Sequence, residues 1–268
     1  MTEKEKLHQL KDILLNLGSV AIAFSGGTDS ALLLSVACSV LGERAVAITI
    51  RSSTFPEREF IESVSLAKQI GTRQIVIDTN ELEIEGFAQN PPDRCYYCKK
   101  ELFSKIKHAA EDLGILNVAD GSNLDDLNDY RPGMRALKEL GAISPLKMAG
   151  MTKADIRSLS REMGLPTWNK PAFACLASRF PYGQPITKEK LLRVERAEQF
   201  LQNRGFTQLR VRCHGDVARI EVPAEDRARF LDDVLAKEVY DAFQSYGFAY
   251  VSLDLLGYRM GSMNETLR

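Results

Sequence analysis

The stretch "VAIAFSGGTDSALLLSV", residues 20–36, decides the fold. Its apolar run from Val20 to Phe24 meets two adjacent glycines, and a helical pattern follows directly. A strand, a tight glycine turn and a helix in direct succession are typical of the first unit of a parallel α/β sheet. The helix N-terminus behind such a turn favours anions. The turn is therefore a candidate phosphate site.

The residue types in the turn support this interpretation. Gly26 and Gly27 allow positive φ and close backbone approach, while Ser25, Thr28 and Ser30 add hydroxyl groups. The turn lacks the lysine of the kinase-type P-loop and the third glycine of the dinucleotide fingerprint. The alternative is a serine-capped strand-to-helix turn without a ligand.

The rest of the chain continues the alternation. Apolar runs predict buried parallel strands at 20–24, 45–50, 74–77 and 117–120. Helical patterns lie between and after them, at 29–42, 57–71, 99–113 and 152–163. We expect an α/β fold, a doubly wound parallel sheet with its ligand at the carboxyl ends of the strands. Beyond residues 178–187, two helices and three strand-like runs predict a small α+β domain, so the expected domains are 1–180 and 186–268.

Composition narrows the class of partner. The 268 residues are 44% hydrophobic and 26% charged, and 35 basic against 36 acidic side chains give a net charge of -1. Near-neutral charge argues against nucleic acid as a partner. The charged, amphipathic start of the chain and the lack of a long apolar run predict a cytoplasmic protein without membrane attachment.

Three of the five cysteines form a candidate metal-binding set. Cys95 and Cys98 stand in "CYYC" where a helix begins, and Cys175 lies in "NKPAFACLASRFPYG". Helix N-termini lower the pKa of a thiol, and thiolates bind metals. Three thiolates suit a four-iron four-sulfur cluster with one open iron. The alternatives are packed thiols without a metal, or a zinc site completed by Cys213 or His214.

The glycine turn also carries a family resemblance. "SGGTDS" resembles the pyrophosphate-binding loop of the ATP pyrophosphatase (PP-loop) superfamily, and "ADGSNLDD", residues 119–126, resembles its second motif. The resemblance implies that residues 25–30 and Gly121 bind ATP, which activates an oxygen as its adenylate and releases pyrophosphate. It also implies Mg²⁺, with Asp29 as a catalytic candidate that positions metal or phosphate. Amidating, lysidine-forming and sulfur-inserting enzymes share this loop.

The long match is more specific. "SGGTDS", "CYYCKKELF", "NDYRPG", "WNKP", "CLASRFPYG" and "RVRCHGDVARIE" together resemble the LarE family of sulfur transferases over nearly the whole chain. This implies that a carboxylate of pyridinium-3,5-dicarboxylate mononucleotide is adenylated and converted to a thiocarboxylate, for the nickel-pincer nucleotide of lactate racemase. It further implies a homo-oligomer, a hexamer in this family, and a separate source of sulfide.

The family has two branches that differ in the sulfur donor. In one branch a single cysteine gives up its own sulfur and becomes dehydroalanine, and that branch lacks the CxxC pair. With Cys95, Cys98 and Cys175 all present, the chain resembles the branch in which these residues hold a four-iron four-sulfur cluster that carries the sulfur. Sacrifice of Cys175 stays open as the alternative.

Arginines in the second half are candidates for substrate binding. Arg210 and Arg212 lie two apart on a predicted strand and therefore on one face, which suits bidentate binding of a 5′-phosphate. The same positions match the phosphate site of the family. The alternative is a solvated strand face.

Four further candidates rest on position or on the resemblance. Ser178 and Arg179 follow Cys175 closely, so we expect them near the sulfur centre as catalytic residues that orient substrate or adenylate. Glu198 and Glu221 correspond to family positions associated with a divalent metal.

Three rival functions differ in what they require. An ammonia-using PP-loop synthetase commonly has a glutaminase domain, for which this chain has no room. A tRNA thiolase would have similar cysteine chemistry but a basic surface or an RNA-binding module. A nucleotide sensor would need the loop but not the cysteines.

Overall fold

The computed structural model describes residues 1–128 and 132–267. Contacts between Cα atoms divide the chain into two compact units. The first unit contains Met1–Asn80 and Asp93–Phe173, and the second contains Glu81–Pro92 and the chain from Ala174 onward.

The first unit is a parallel sheet with helices on its faces. Its helices are α1 Glu3–Leu17, α2 Thr28–Leu41, α3 Glu57–Ile70, α4 Arg94–Glu111, α5 Gly133–Glu139, α6 Pro145–Met148 and α7 Lys153–Glu162. Its strands are β1 Val20–Ala23, β2 Ala45–Arg51, β3 Gln74–Asp78 and β4 Val118–Ala119. The strand order is β3-β2-β1-β4, and every neighbouring pair is parallel. The predicted α/β fold is confirmed.

Burial on both faces explains why β1 lacks polar alternation. Val20 and Ile22 point into a core that includes Leu32 of α2, whereas Ala21 belongs to a second core with Phe103 of α4. All five side chains are almost fully buried. Because successive strand residues point to opposite faces, both faces of this strand require apolar residues.

The strand order places the turn at the edge where ligands bind. From β1 the chain moves outward to β2 and β3, and it then returns to β4 on the other side of β1. Ligands of doubly wound sheets bind outside the carboxyl ends of the strands, where the strand order reverses. Residues 25–30 follow β1, and Gly121 follows β4, at this switch point.

The second unit is the predicted α+β body. Its elements are α8 Lys188–Asn203, β5 Arg210–His214, β6 Val217–Glu221, α9 Ala224–Arg227, α10 Asp233–Ser245 and β7 Tyr250–Leu253. In the sheet β5-β6-β7, the first pair is antiparallel and the second is parallel. Residues 81–92 belong to this unit: the Gly183 amide donates to the Asn90 carbonyl (2.9 Å) and the Ile186 amide to the Ala88 carbonyl (2.8 Å). Over the described residues, no helix has the length and apolarity needed to cross a membrane.

Candidate active site

The glycine turn is packed tightly against α3. Gly26 has φ +67°, and a Cβ added to it would lie 2.8 Å from the Cβ of Ser63. Only glycine satisfies both the backbone angle and this contact. Gly27 is the N-cap of α2, so the turn leads directly into this helix. The first amides of the helix have no acceptor within it. The turn therefore has the backbone that an anion site requires.

The hydroxyl groups of the turn are held within the protein. The Oγ atoms of Ser25 and Ser30 lie 3.3 Å apart, and Ser30 donates to the Gly27 carbonyl at 3.2 Å. Thr28 is buried, and its hydroxyl donates to the carbonyl of Thr167 at 2.9 Å. These bonds hold the three hydroxyl groups in fixed positions within the turn.

The second motif lies directly against the turn. A Cβ added to Gly121 would lie 3.2 Å from the Ser30 amide nitrogen, so this position requires a small residue. Asn123 donates from Nδ2 to Asp29 Oδ1 at 3.3 Å. The structure thus places Gly121 beside Ser30 and Asp29 of the turn.

A lysine that the sequence analysis did not select completes this cluster. Lys153, the first residue of α7, places Nζ 2.5 Å from Asp29 Oδ2, and its amide donates to Asp125 of the second motif at 2.8 Å. The sequence offered one signal for a special role of Lys153. It lies at the N-terminus of a predicted helix, where a cation is unfavourable.

A second lysine fixes the turn from the "WNKP" motif. Lys170 Nζ lies 2.7 Å from a carboxylate oxygen of Glu59 and 2.8 Å from one of Glu62, and it donates to the Gly26 carbonyl at 3.5 Å. Burial lowers the pKa of Lys170, but the two glutamates outweigh burial and the net pKa is raised. For Glu62, burial raises the pKa, but Lys170 and Arg58 outweigh burial. The net pKa of Glu62 is below the usual glutamate value. These charges join α3 to the turn.

The CxxC pair lies in the first turns of α4. Cys95 and Cys98 are one helical turn apart on the same face, and both side chains are half-buried. Gly133 packs against this helix: a Cβ there would lie 3.2 Å from the Cys95 carbonyl oxygen and 2.6 Å from Lys99 Cδ. Gly133 ends the "NDYRPG" motif, of which residues 129–131 lie outside the described residues.

In the second unit, Arg179 organises the turn that carries Cys175. This arginine is fully buried and forms a bidentate pair with Glu198, at 2.8 and 2.9 Å. Its Nη1 also donates to the carbonyls of Ala174 (2.7 Å) and Cys175 (3.1 Å) and to Ser178 Oγ (2.8 Å). Arg179 therefore holds the backbone on both sides of the cysteine.

The two predicted arginines lie on β5 beside this turn. Arg210 and Arg212 are both buried, so the alternative of a solvated strand face is wrong. Arg212 pairs with Glu221 at 2.7 Å and donates to the Ser178 carbonyl at 3.0 Å. Burial, together with the charge of Arg179, lowers the pKa of Arg210 to about 10. A bound anion would stabilise this crowded set of cations.

The two glutamates assigned to a divalent metal are engaged by arginines. Glu198 accepts from Arg179 and from the Val211 amide (2.9 Å), and Glu221 accepts from Arg212 and Arg219 (3.0 Å). Burial raises the pKa of Glu198, but Arg179 more than offsets this, and the pKa is lowered. Within each unit, over the described residues, no three His, Cys, Asp or Glu side chains form a group that could hold a metal ion. The divalent role stays a prediction.

The chain contains the residue types that the two inorganic groups implied by the resemblance require. Mg²⁺ is commonly held by one or two carboxylates and substrate phosphates, and Asp29 supplies a carboxylate in the turn. Cys95 and Cys98 present two thiols on one helix face, and Cys175 presents a third, half-buried thiol in the second unit. None of the three forms a disulfide. Soft thiolate donors suit iron–sulfur binding.

Comparison with known proteins gives matches that cover nearly the whole chain and a match that covers two thirds of it. The chain is 45% identical to the uncharacterized protein slr1717 of Synechocystis over 98% of each chain. It is 42% identical to the pyridinium-3,5-bisthiocarboxylic acid mononucleotide synthase of Lactiplantibacillus plantarum, over 95% of this chain and 92% of that one. A GMP synthase of Aeropyrum pernix is 26% identical over 67% of this chain and 38% of its own.

No protein-family model matches the chain. The synthase match exceeds 40% identity across nearly the whole of both proteins. The chain belongs to the LarE family, the family of the pyridinium-3,5-bisthiocarboxylic acid mononucleotide synthase, within the PP-loop superfamily.

Proposed function

We propose that this protein is an ATP-dependent sulfur transferase acting on pyridinium-3,5-dicarboxylate mononucleotide. ATP activates a carboxylate as the acyl adenylate, with release of pyrophosphate. A hydrosulfide-level sulfur then forms a C–S bond to the acyl carbon, the C–O bond to AMP breaks, and a thiocarboxylate and AMP leave. The observation that carries the proposal is the 42% identity to the synthase over 95% of the chain. The product would serve as a precursor of the nickel-pincer nucleotide of lactate racemase.

The turn supports the activation step. Its amides at the N-terminus of α2 suit the pyrophosphate that leaves, because they donate to anions without movement of side chains. Asp29 would hold Mg²⁺, which neutralises charge on the phosphates. Gly121 lets the second motif approach the turn closely enough to complete the nucleotide site.

The second unit supports binding of the mononucleotide. Arg210 and Arg212 lie on one strand face, and burial together with the charge of Arg179 lowers the pKa of Arg210. A bound phosphate would offset this crowding of positive charge. We assign them to the 5′-phosphate. Residues 186–268 would thus bind substrate and take part in assembly of a homo-oligomer.

The cysteines support the sulfur-transfer step. Cys95, Cys98 and Cys175 would hold a four-iron four-sulfur cluster, which supplies transferable sulfide when bound. Arg179 holds the backbone of Cys175, so this thiol stays oriented whether it binds iron or acts alone. The alternative is that Cys175 donates its own sulfur and the protein turns over once.

Anaerobic reconstitution with iron and sulfide tests the proposal. After turnover with ATP and the pyridinium mononucleotide, about four irons, repeated turnover and unchanged protein mass are expected. Cys95→Ser should lose iron and repeated turnover while still releasing pyrophosphate. Cys38→Ser changes a cysteine of α2 outside the thiol set. This variant should keep both its iron and repeated turnover. Absence of iron, with loss of one H₂S from Cys175, would establish the sacrificial route, and no thiocarboxylate at all would overturn the function.

A further inference from the structure

The ion pair between Lys153 and Asp29 lies inside the nucleotide site yet has no part in the function so far. Lys153 Nζ is 2.5 Å from Asp29 Oδ2, and the two side chains remain 31% and 25% exposed. Both groups are thus accessible to a ligand. Asp29 is the second residue of α2, in the turn whose amides suit phosphate.

Anchoring of α7 does not explain this lysine. The helix begins with a complete capping box between Thr152 and Asp155, and Asp155 also pairs with Lys6 at 2.6 Å. Ile156 is buried in the core beside α2. A cation at the first position of a helix opposes the helix dipole, which makes Lys153 locally unfavourable. A partly exposed ion pair adds little stability in return.

Charge balance in the turn does explain it. The turn lacks the lysine that P-loops carry in their own sequence. It has instead a carboxylate, Asp29, which would repel a phosphate chain unless a cation offsets it. Lys153 brings such a cation from a distant part of the chain, 124 residues away.

We propose that Lys153 binds the phosphate chain of ATP. In the structure its ammonium group pairs with Asp29, and on nucleotide binding Nζ contacts a phosphate oxygen held by the turn. Asp29, no longer paired with the lysine, is then free to hold Mg²⁺. This inference rests on the proposed function, since it assumes ATP as the ligand of the turn.

Calorimetric titration of the full-length protein with ATP and with adenosine tests the proposal. Lys153→Met should weaken ATP binding about tenfold or more, the scale of one charge-assisted hydrogen bond, and leave adenosine affinity unchanged. Lys153→Arg should keep most of the ATP affinity. Lys6→Met is the matched control, because it removes the other lysine–aspartate pair of the same helix end and should leave both affinities unchanged.

Two results would overturn the proposal. One is unchanged ATP affinity in Lys153→Met. The other is an equal loss of ATP and adenosine affinity, which would mean that the whole site is disturbed. If the wild-type protein does not bind ATP, the proposed function itself is contradicted. If the wild-type protein and Lys153→Met bind ATP equally well, only the role of the lysine is contradicted.

Discussion

At the scale of single residues, Gly26 shows how the backbone of the turn constrains its sequence. Gly26→Ala would combine a positive φ with a Cβ 2.8 Å from Ser63 Cβ. We expect a loss of about 2–4 kcal/mol in the free energy of unfolding, from left-handed strain of about 1–2 kcal/mol plus overpacking of similar size. Urea unfolding would measure the free energy of unfolding, and titration would measure the affinity for ATP. Both quantities should fall in Gly26→Ala.

Gly18→Ala provides the control for this prediction. Gly18 ends α1 with φ +70°, but a Cβ there would have no neighbour within 4 Å. Its substitution should cost only the strain of about 1–2 kcal/mol and leave ATP affinity intact. Equal effects of both substitutions on ATP binding would show that contact with α3 is irrelevant to the turn.

Arg179 holds the turn that carries Cys175 through its bonds to Glu198, Ala174 and Cys175. Arg179→Lys keeps the charge but loses the fork that binds Glu198 and the donors that hold Ala174 and Cys175. We expect a destabilisation of about 3 kcal/mol or more, because the pair is buried and a lysine cannot replace its geometry. Alkylation of Cys175, followed by mass spectrometry, should also become faster as its turn loosens.

An exposed pair of the same kind is the control. Arg204 makes two bonds to Glu238, but the two side chains are 31% and 50% exposed. Arg204→Lys should change the free energy of unfolding by about 0.5 kcal/mol or less and leave Cys175 alkylation unchanged. Similar stability for the two lysine variants would contradict the organising role of Arg179.

At the scale of elements, the sequence predicted the strands and most helices because they depend on local periodicity. A feature such as the capping box between Thr152 and Asp155 at the start of α7 is encoded locally, since both partners lie within four residues. The ion pairs that join elements were not predicted. Lys153 meets Asp29, and Lys170 meets Glu59, across more than 100 residues, and nothing in the local sequence encodes such partners.

Lys170 joins α3 to the glycine turn through Glu59, Glu62 and the Gly26 carbonyl. Lys170→Met should cost about 1–3 kcal/mol in the free energy of unfolding, as it leaves the mostly buried Glu59 without this cation. Only a small part of that belongs to Glu62, which is 41% exposed. The surface pair Lys237–Asp241 is the control, and Lys237→Met should change stability by about 0.5 kcal/mol or less.

The pH dependence follows from the two pKa shifts. The raised pKa of Lys170 contributes stability that is complete below the ordinary lysine pKa of about 10.4 and is lost as pH rises through the folded value. The lowered pKa of Glu62 contributes stability present above about pH 4.3 and lost as pH falls through its folded value. The difference between wild type and Lys170→Met should therefore stay level from about pH 5 to 10 and shrink below pH 4. A difference that grows on acidification would contradict the assignment.

At the scale of the whole molecule, the sequence predicted two kinds of architecture but not the path of the chain between them. Residues 81–92 leave the first unit and pack with residues beyond 174 before the chain enters α4. Their hydrogen bonds reach residues about 90 positions away, so no periodicity or turn motif indicates them. The same division places Cys95 and Cys98 in the first unit and Cys175 in the second, so the proposed cluster role rests on residue type and on the sequence resemblance.

Asn90 links this segment to the residues beyond 174 through its side chain. It is fully buried with φ 57°, and its amide donates to the carbonyls of Pro181 (2.7 Å) and Phe180 (3.4 Å). Asn90→Ala removes these donors and leaves alanine in a left-handed conformation. We therefore expect the free energy of unfolding to fall by about 2–4 kcal/mol. Asn90→Gly should cost about 1 kcal/mol less, because glycine accepts this backbone.

Hydrogen exchange resolved by peptide would locate the effect of Asn90→Ala. Protection should fall together in residues 81–92 and 180–186, since the Gly183 and Ile186 amides donate to the carbonyls of Asn90 and Ala88, while β1 and β2 stay protected. Asn203→Ala, at the exposed end of α8, should leave both segments unchanged. If exchange rose in 81–92 alone, the two segments would not form one cooperative unit, and the part of the second unit from Ala174 onward would be stable without residues 81–92.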